Sequence, residues 1–290
     1  MKLLTVFFLL VASYRPVWSA ESSGTIHELK AIPFAEVDGH RLLLDLYRPT
    51  SKGSVPVIVW VHGGAWRRGS RDGVPIKAIV SRGFAIASVD YRLSPVAKFP
   101  AQIHDIKAAI RFLRANAATY ELDPDRITIA GASAGGHLAA LAGVAGPLLE
   151  GNVGEHDSES SRVSVIISFY GASNLQTILT QSTPHGLNVR VPALQLLLGG
   201  QPAEVPDIAR LASPVAHLDR SDPPLLLVHG DQDPQMPINQ AHELHGGYKR
   251  IQRPVEFDVI HGAAHGGEAF YTDDVLKRVA AFLTMHTGGR

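Results

Sequence analysis

Along the chain, short apolar runs rich in β-branched residues alternate with stretches whose apolar positions recur every three or four residues. The pattern opens differently. Leu42, Leu44 and Leu46 alternate with other residues, as in a strand with one buried face. Six apolar runs follow: Pro56 to Val61, Phe84 to Val89, Ile127 to Ala130, Val163 to Phe169, Leu225 to Val228, and Val255 to Ile260. Runs that are apolar on both faces and separated by helices predict a mostly parallel central sheet covered on both sides, an α/β architecture. Between them, Ile103, Ile106, Ile110 and Leu113 form one stripe on a helix from Ala101 to Ala115, with Pro100 just before it, where a missing N–H costs little. Asp123-Pro124-Asp125 reads as a turn into the third run. Val275, Val279 and Phe282 predict a last helix over Asp274 to Met285.

Two stretches break the rhythm. Gly146 to Ser161, rich in glycine and acids, reads as a surface loop. Ala172 to Pro224 holds helical pieces interrupted by Pro184, Pro192, Pro202, Pro206 and Pro214. In an open α/β sheet, ligands bind outside the carboxyl ends of the strands, so this excursion is a candidate cap over a site. Nothing between residues 20 and 290 looks like a linker, which leaves one catalytic-size domain.

The first 19 residues follow another rule. Lys2 supplies a positive start, Leu3 to Ala12 is apolar apart from Thr5, and Ser19 and Ala20 are small. This is the layout of a secretory signal peptide cut after Ser19 or Ala20, and it places the product outside the cytoplasm, secreted or periplasmic. The alternative is an uncleaved anchor at the interface. The apolar core is too short to span ~30 Å of hydrocarbon. No stable membrane insertion is expected after cleavage.

Of the 290 residues, 45% are hydrophobic and 19% charged, which excludes a disordered chain. Lys plus Arg and Asp plus Glu are each 27, so no basic excess exists to neutralise phosphates, and nucleic acid is not an expected partner. There is no cysteine, hence no disulfide, thiolate nucleophile or cysteine-ligated zinc. His242 and His245, three apart on a helix, read as a solvated face and not as metal ligands.

The chemistry concentrates in three places. Gly131-Ala132-Ser133-Ala134-Gly135 is a G-x-S-x-G motif between a strand and a helix start. Such a turn strains the serine backbone, and side chains at the glycines would collide with neighbouring elements. Ser133 is then a nucleophile held at a helix N-terminus. A base and an orienting acid should follow in the order Ser, acid, His, each just past a strand. The acid falls on Asp231 or Asp233, after Leu225 to Val228. The base falls on His261 or His265, after Val255 to Ile260. His265, between small residues, is free to swing toward Ser133, and His261 is expected to pack at the strand end. Third, Val61-His62-Gly63-Gly64-Ala65-Trp66 can aim the N–H groups of Gly64 and Ala65 at a developing oxyanion, joined by that of Ala134. Trp66 is a candidate aromatic wall for substrate, or else core packing beside the first strand.

Together with Asp90-Tyr91-Arg92-Leu93-Ser94-Pro95, Ala212-Ser213-Pro214, Asp222-Pro223-Pro224, His229-Gly230-Asp231-Gln232-Asp233-Pro234 and Gly262-Ala263-Ala264-His265-Gly266, these segments resemble the α/β-hydrolases. Within that superfamily they are similar to secreted carboxylesterases near the hormone-sensitive-lipase and acetylxylan/feruloyl esterase-like group. The resemblance runs from Arg41 to His286. It implies the α/β-hydrolase fold with a small cap insertion, Asp233 as the acid, His265 as the base, and the backbones of Gly64, Ala65 and Ala134 as oxyanion donors. Asp90 and Arg92 would brace the His62 loop. Two positions depart from the group: Ala65, where lipase-like members often have Gly, and Ala132, where many carry an acid. The implied reaction is hydrolysis of short-chain or carbohydrate-linked esters, acetyl or feruloyl in type, through an acyl-enzyme. It needs no metal or cofactor. The partner would be a small-molecule or polysaccharide-linked ester. The rival readings are a peptidase or amidase on the same fold, and a non-catalytic binding module on a hydrolase scaffold, which would usually have lost a triad member.

Overall fold

The computed structural model describes residues 26–51 and 53–288. The predicted signal peptide lies outside the described residues. Among the described residues, eight strands form one sheet: β1 (Ile26–Val37), β2 (His40–Pro49), β3 (Val55–Val61), β4 (Ala85–Val89), β5 (Leu122–Ala132), β6 (Val165–Phe169), β7 (Leu225–Gly230) and β8 (Val255–Ile260). Their spatial order is β1-β2-β4-β3-β5-β6-β7-β8. Only β1 with β2 and β2 with β4 pair antiparallel, and every pairing from β4 to β8 is parallel.

The parallel strands bury both faces, which is why their sequences run apolar without alternation. Val57, Val59 and Val61 of β3 face one core, and Ile58 and Trp60 face the other. The first core is closed by α1 (Ala101–Ala115), α2 (Ala134–Val144) and α6 (Asn239–Arg250). The second is closed by α7 (Asp273–Thr287) and a 3-10 turn at Lys77–Arg82. The α1 stripe of Ile103, Ile106, Ile110 and Leu113 is buried as its spacing predicts. Thr272 caps α7 by accepting from the Val275 amide, so the helix starts one residue earlier than its apolar pattern.

Strand β1 has no apolar run to announce it, because it is an edge strand and half exposed. The Asp38-Gly39 dipeptide is the overlooked signal. Both residues have positive φ, 51° and 76°, as a two-residue hairpin turn requires, and they join β1 to β2. Strand β5 extends back through the expected Asp123-Pro124-Asp125 turn to Leu122. Its pairing with β3 jumps from Val55↔Leu122 to Val57↔Ile127, and that irregularity absorbs the turn.

Residues 172–224 fold into α3 (Ile178–Gln181), α4 (Pro184–Leu198), α5 (Pro206–Leu211) and a 3-10 turn at Pro214–Ala216. Pro184 and Pro206 start helices and do not break them. Pro192 sits inside α4, contrary to its expected role as a breaker. It and Asn188, whose carbonyl it cannot serve, both lie on the exposed face. The opposite face of α4, through Ala193, Leu194 and Leu197, is buried in the first core. The stretch 146–161 is also less free than a surface loop. Leu149 and Val153 are buried, and Glu150 accepts from Lys107 (3.1 Å) and Arg111 (2.8 Å), both on α1.

At the N-terminal ends of the strands, Asp222 precedes β7 and is 3% exposed. Burial raises its pKa to about 7, and the nearby Asp219 carboxylate adds to the effect against the hydrogen bond it accepts from the Asp219 amide and the charge of Arg253. The folded state therefore binds this proton more tightly than the unfolded chain. Stability attached to Asp222 is greatest when it is protonated and declines as pH rises from about 4 to 7. Asp222→Asn keeps an acceptor for the Asp219 amide without the charge. Thermal melts should show no gain at pH 4 and a rise of a few degrees, roughly 2–6 °C, at pH 8.

Candidate active site

The carboxyl ends of β3, β5, β7 and β8 converge on one rim. At the end of β5 the chain turns sharply into α2. Ser133 takes φ 56° and ψ −118°, a region that L residues enter only when their surroundings impose it. The imposition is steric. A Cβ on Gly131 would lie 2.3 Å from the Gly135 carbonyl oxygen, and one on Gly135 would lie 2.0 Å from that of Val61. The Ser133 amide donates to the Phe169 carbonyl of β6 (2.9 Å), which fixes the turn from the other side. The hydroxyl is left at the N-terminus of α2, where the helix dipole favours negative charge.

The structure brings Ser133, His265 and Asp233 into one line. His265 Nε2 lies 2.8 Å from Ser133 Oγ, and His265 Nδ1 lies 2.7 Å from Asp233 Oδ2. His265 sits in the segment after β8, followed by Gly266 and Gly267 at φ 80° and 97°. The ring of Tyr170 meets it edge-on, with centroids 4.9 Å apart. Asp233 is buried. Burial alone would push its pKa up, but His229, His265 and the Met236 amide hydrogen-bond to the carboxylate and hold it well below the usual range. Its Oδ1 accepts from the amides of Gln235 and Met236, both at 2.8 Å, so the carboxylate is anchored by backbone while Oδ2 faces the imidazole. The other acid and base candidates pair with each other. His261 Nδ1 lies 2.8 Å from Asp231 Oδ2, and the His261 side chain is 86% exposed instead of packed at the strand end.

The loop after β3 lies against Ser133. A Cβ on Gly63 would meet the Ala132 carbonyl oxygen at 2.8 Å and the Ser133 Cβ at 3.3 Å. Gly64, Ala65 and Trp66 all have positive φ, at 111°, 53° and 59°. Among the described residues, the amides of Gly64 and Ala65 donate to no protein acceptor. That of Ala134, first in α2, has no partner within its helix. Three free donors at this rim are suited to an anionic oxygen.

Trp66 corrects the expectation of an aromatic wall. Its side chain is fully buried in the first core and presents no surface to a ligand. The bracing of the His62 loop is shared. Tyr91 stacks on His62 (4.4 Å) and donates to the His62 carbonyl. Asp90 holds the same loop by accepting from the amide (3.1 Å) and guanidinium (2.6 Å) of Arg71, whereas Arg92 is turned to Asp105 of α1. Sequence reasoning passed over His137, His229, Tyr170 and Arg190. His137 and His229 lie within segments already read as motif or strand, and Tyr170 directly follows one, where packing explains a histidine or tyrosine equally well. Arg190, fully buried on α4, had no local signal at all.

The described residues contain no group of three or more His, Cys, Asp or Glu that could hold a metal, and no helix long and apolar enough to cross a membrane. The arrangement can move a proton from a hydroxyl to an imidazole beside a buried carboxylate, with amides ready for an oxyanion. Substitution should show how little room the rim has. Gly135→Ala is expected to cost about 3 kcal/mol or more of stability, because the obstruction is backbone on β3 and no side chain can yield. A urea titration measures the loss.

A family model described as BD-FAE matches residues 44–247. Esterase LipC of Mycobacterium tuberculosis is 33% identical over 84% of this chain and 62% of its own length. The chain thus spans less than two thirds of that curated relative. Among solved structures, a truncated form of a carbohydrate esterase from gut microbiota superposes with a TM-score of 0.80 at 29% identity, covering 94% of this chain and all of that one. A bifunctional GH43-CE protein of Bacteroides eggerthii gives 0.81 at 34% identity over 90% of this chain and 35% of that one. The fold is that of the α/β-hydrolases.

Proposed function

The chain belongs to the BD-FAE family, and from that premise we propose that it is a serine carboxylic ester hydrolase working through an acyl-enzyme on short-chain or carbohydrate-linked esters. The observation that carries the reading is the unbroken line of hydrogen bonds from Ser133 through His265 to Asp233. Esterase LipC and the carbohydrate esterase of similar fold support the reaction class and the carbohydrate side of the substrate.

In this reading, Ser133 Oγ attacks the ester carbonyl as His265 Nε2 takes its proton. Asp233 holds the imidazole with Nδ1–H toward itself and stabilises the imidazolium. The amides of Gly64, Ala65 and Ala134 receive the oxyanion, which carries more charge than the ground-state carbonyl and so is bound more tightly. His265 then protonates the departing alcohol. Water attacks the acyl-Ser133 bond with His265 again as base, and the acid leaves. The balance closes on ester plus water giving acid plus alcohol, and each step uses groups of this chain. The basic and then apolar N-terminal segment supports export, so the substrate is met outside the cytoplasm, and acetyl or feruloyl groups on polysaccharide fit that location.

Ser133→Ala should lower kcat on p-nitrophenyl acetate by ~10³-fold or more, with the melting temperature retained. Asp233→Asn should lower it by roughly 10³- to 10⁴-fold, because an amide favours the wrong imidazole tautomer. A Ser133→Ala protein that keeps most of its turnover sinks the reading. Paired ester and anilide substrates with one acyl group separate an esterase from an amidase. Rates on acyl chains of two to twelve carbons, methyl ferulate and acetylated xylan assign the substrate.

A further inference from the structure

Beneath the rim lies a buried polar chain that the proposed reaction does not use. Trp66 Nε1–H donates to His137 Nδ1 at 3.1 Å, and His137 Nε2 lies 2.7 Å from the Ala212 carbonyl oxygen. A carbonyl only accepts, so Nε2 carries the proton and Nδ1 is left as the acceptor that Trp66 needs. Trp66 and His137 are both fully buried, with ring planes 88° apart. The two ends of the chain matter. Trp66 directly follows Ala65, and His137 stands one helical turn beyond Ser133, its amide donating to the Ser133 carbonyl at 3.0 Å. The chain therefore ties the β3 loop to α2, the two segments that carry the candidate oxyanion donors, and fastens both to the end of α5.

We propose that His137 is a positioning residue which, through Trp66, holds the Gly64-Ala65 backbone in register with Ser133 and Ala134. The proposal rests on the ester-hydrolase reading and extends it. Ala65 and Trp66 are side-chain-bearing residues held at positive φ, a conformation that reverts unless its surroundings over-determine it. Gly64, with φ 111° and the Arg68 carbonyl where a Cβ would be, closes the turn by accepting from the Arg67 and Arg68 amides (both 3.2 Å), bonds that stay within the loop and do not tie it to α2. Apart from packing, the grip on Trp66 comes from two bonds. Its carbonyl accepts from the Ser94 amide (2.8 Å), and its indole donates to His137. Arg190 lies over the indole face, 5.9 Å from the ring centroid. The acceptor stays available because His137 stays neutral. Burial lowers its pKa to about 4, the Ala212 carbonyl opposing and the Arg190 charge reinforcing the effect. An acceptor pinned in one tautomer at one angle sets the indole, and the indole sets the peptide whose N–H must meet the oxyanion. A misplacement of that donor weakens binding of the transition state and leaves the ground state almost untouched.

The test compares wild type, Trp66→Phe, His137→Leu, His137→Gln and the Trp66→Phe/His137→Leu double variant on p-nitrophenyl acetate, well below each melting temperature. Each single loss of the bond should lower kcat about 10- to 100-fold, with KM held within about twofold. The double variant should be no slower than the slower single, and His137→Gln should recover most of the rate, since its amide can accept from Trp66 and donate to Ala212. Folded Trp66→Phe and His137→Leu proteins that keep kcat within about threefold overturn the proposal, as does a rise in KM with kcat unchanged. Should the variants not fold, ¹⁵N spectra of the wild-type protein decide. A neutral His137 with Nε2–H from pH 6 to 9 supports the tether, and the opposite tautomer or a charged ring overturns it. A wild-type protein with no ester turnover counts against the esterase reading, and the spectra still decide whether the tether exists.

Discussion

Everything at the rim depends on a close approach of backbone to backbone. The end of β3, the end of β5 and the first turn of α2 meet with no room for a methyl group, and Gly131 and Gly135 stand at the contact. That approach has two effects at once. It forces Ser133 into a conformation an isolated peptide would leave, and it brings the loop after β3 against the serine. A hydroxyl and the amides that could serve it are thus positioned by the same steric event. The sheet supplies the rigidity, with both faces buried and parallel pairing on either side of β5.

Charge is managed with equal economy of parts. Asp233 is an ionised carboxylate in a buried place, which is costly unless its lone pairs are used. Two backbone amides take one oxygen, and the imidazole of His265 takes the other. His229, fully inside the fold, reaches the same carboxylate at 3.4 Å while bonding the Met236 carbonyl. Asp231 and His261, two and four residues away in sequence from Asp233 and His265, make a pair of similar length in open solvent. Chemically alike pairs therefore differ in what surrounds them. In solvent a pair of this kind is worth little, whereas inside the fold it sets tautomer and orientation.

The parallel sheet was legible because its strands lack alternation, and α1 and α7 because their apolar residues keep helical spacing. Ser133 was legible because a serine between two glycines, after a strand and before a helix, came with candidate acids and bases in the order such a nucleophile requires. Spacing alone did not separate Asp233 from Asp231 or His265 from His261, since each pair shares a loop, and what distinguishes them is long-range burial. Resemblance to the hydrolases named the pair that the structure draws together. Strand β1 was missed because an edge strand with two half-wet faces carries no apolar signal. Arg190 and the Trp66–His137 contact were invisible for another reason. They join residues 71 or more positions apart, and nothing local in the chain encodes such a meeting.

The burial of Ala193, Leu194 and Leu197 bears on how freely α4 can move. A flap that swings must leave dry surface behind it, and lifting α4 would wet side chains that belong to the main core, at about 25 cal/mol for every Å² uncovered. That cost favours an α4 that stays seated on the core over one that hinges away from it.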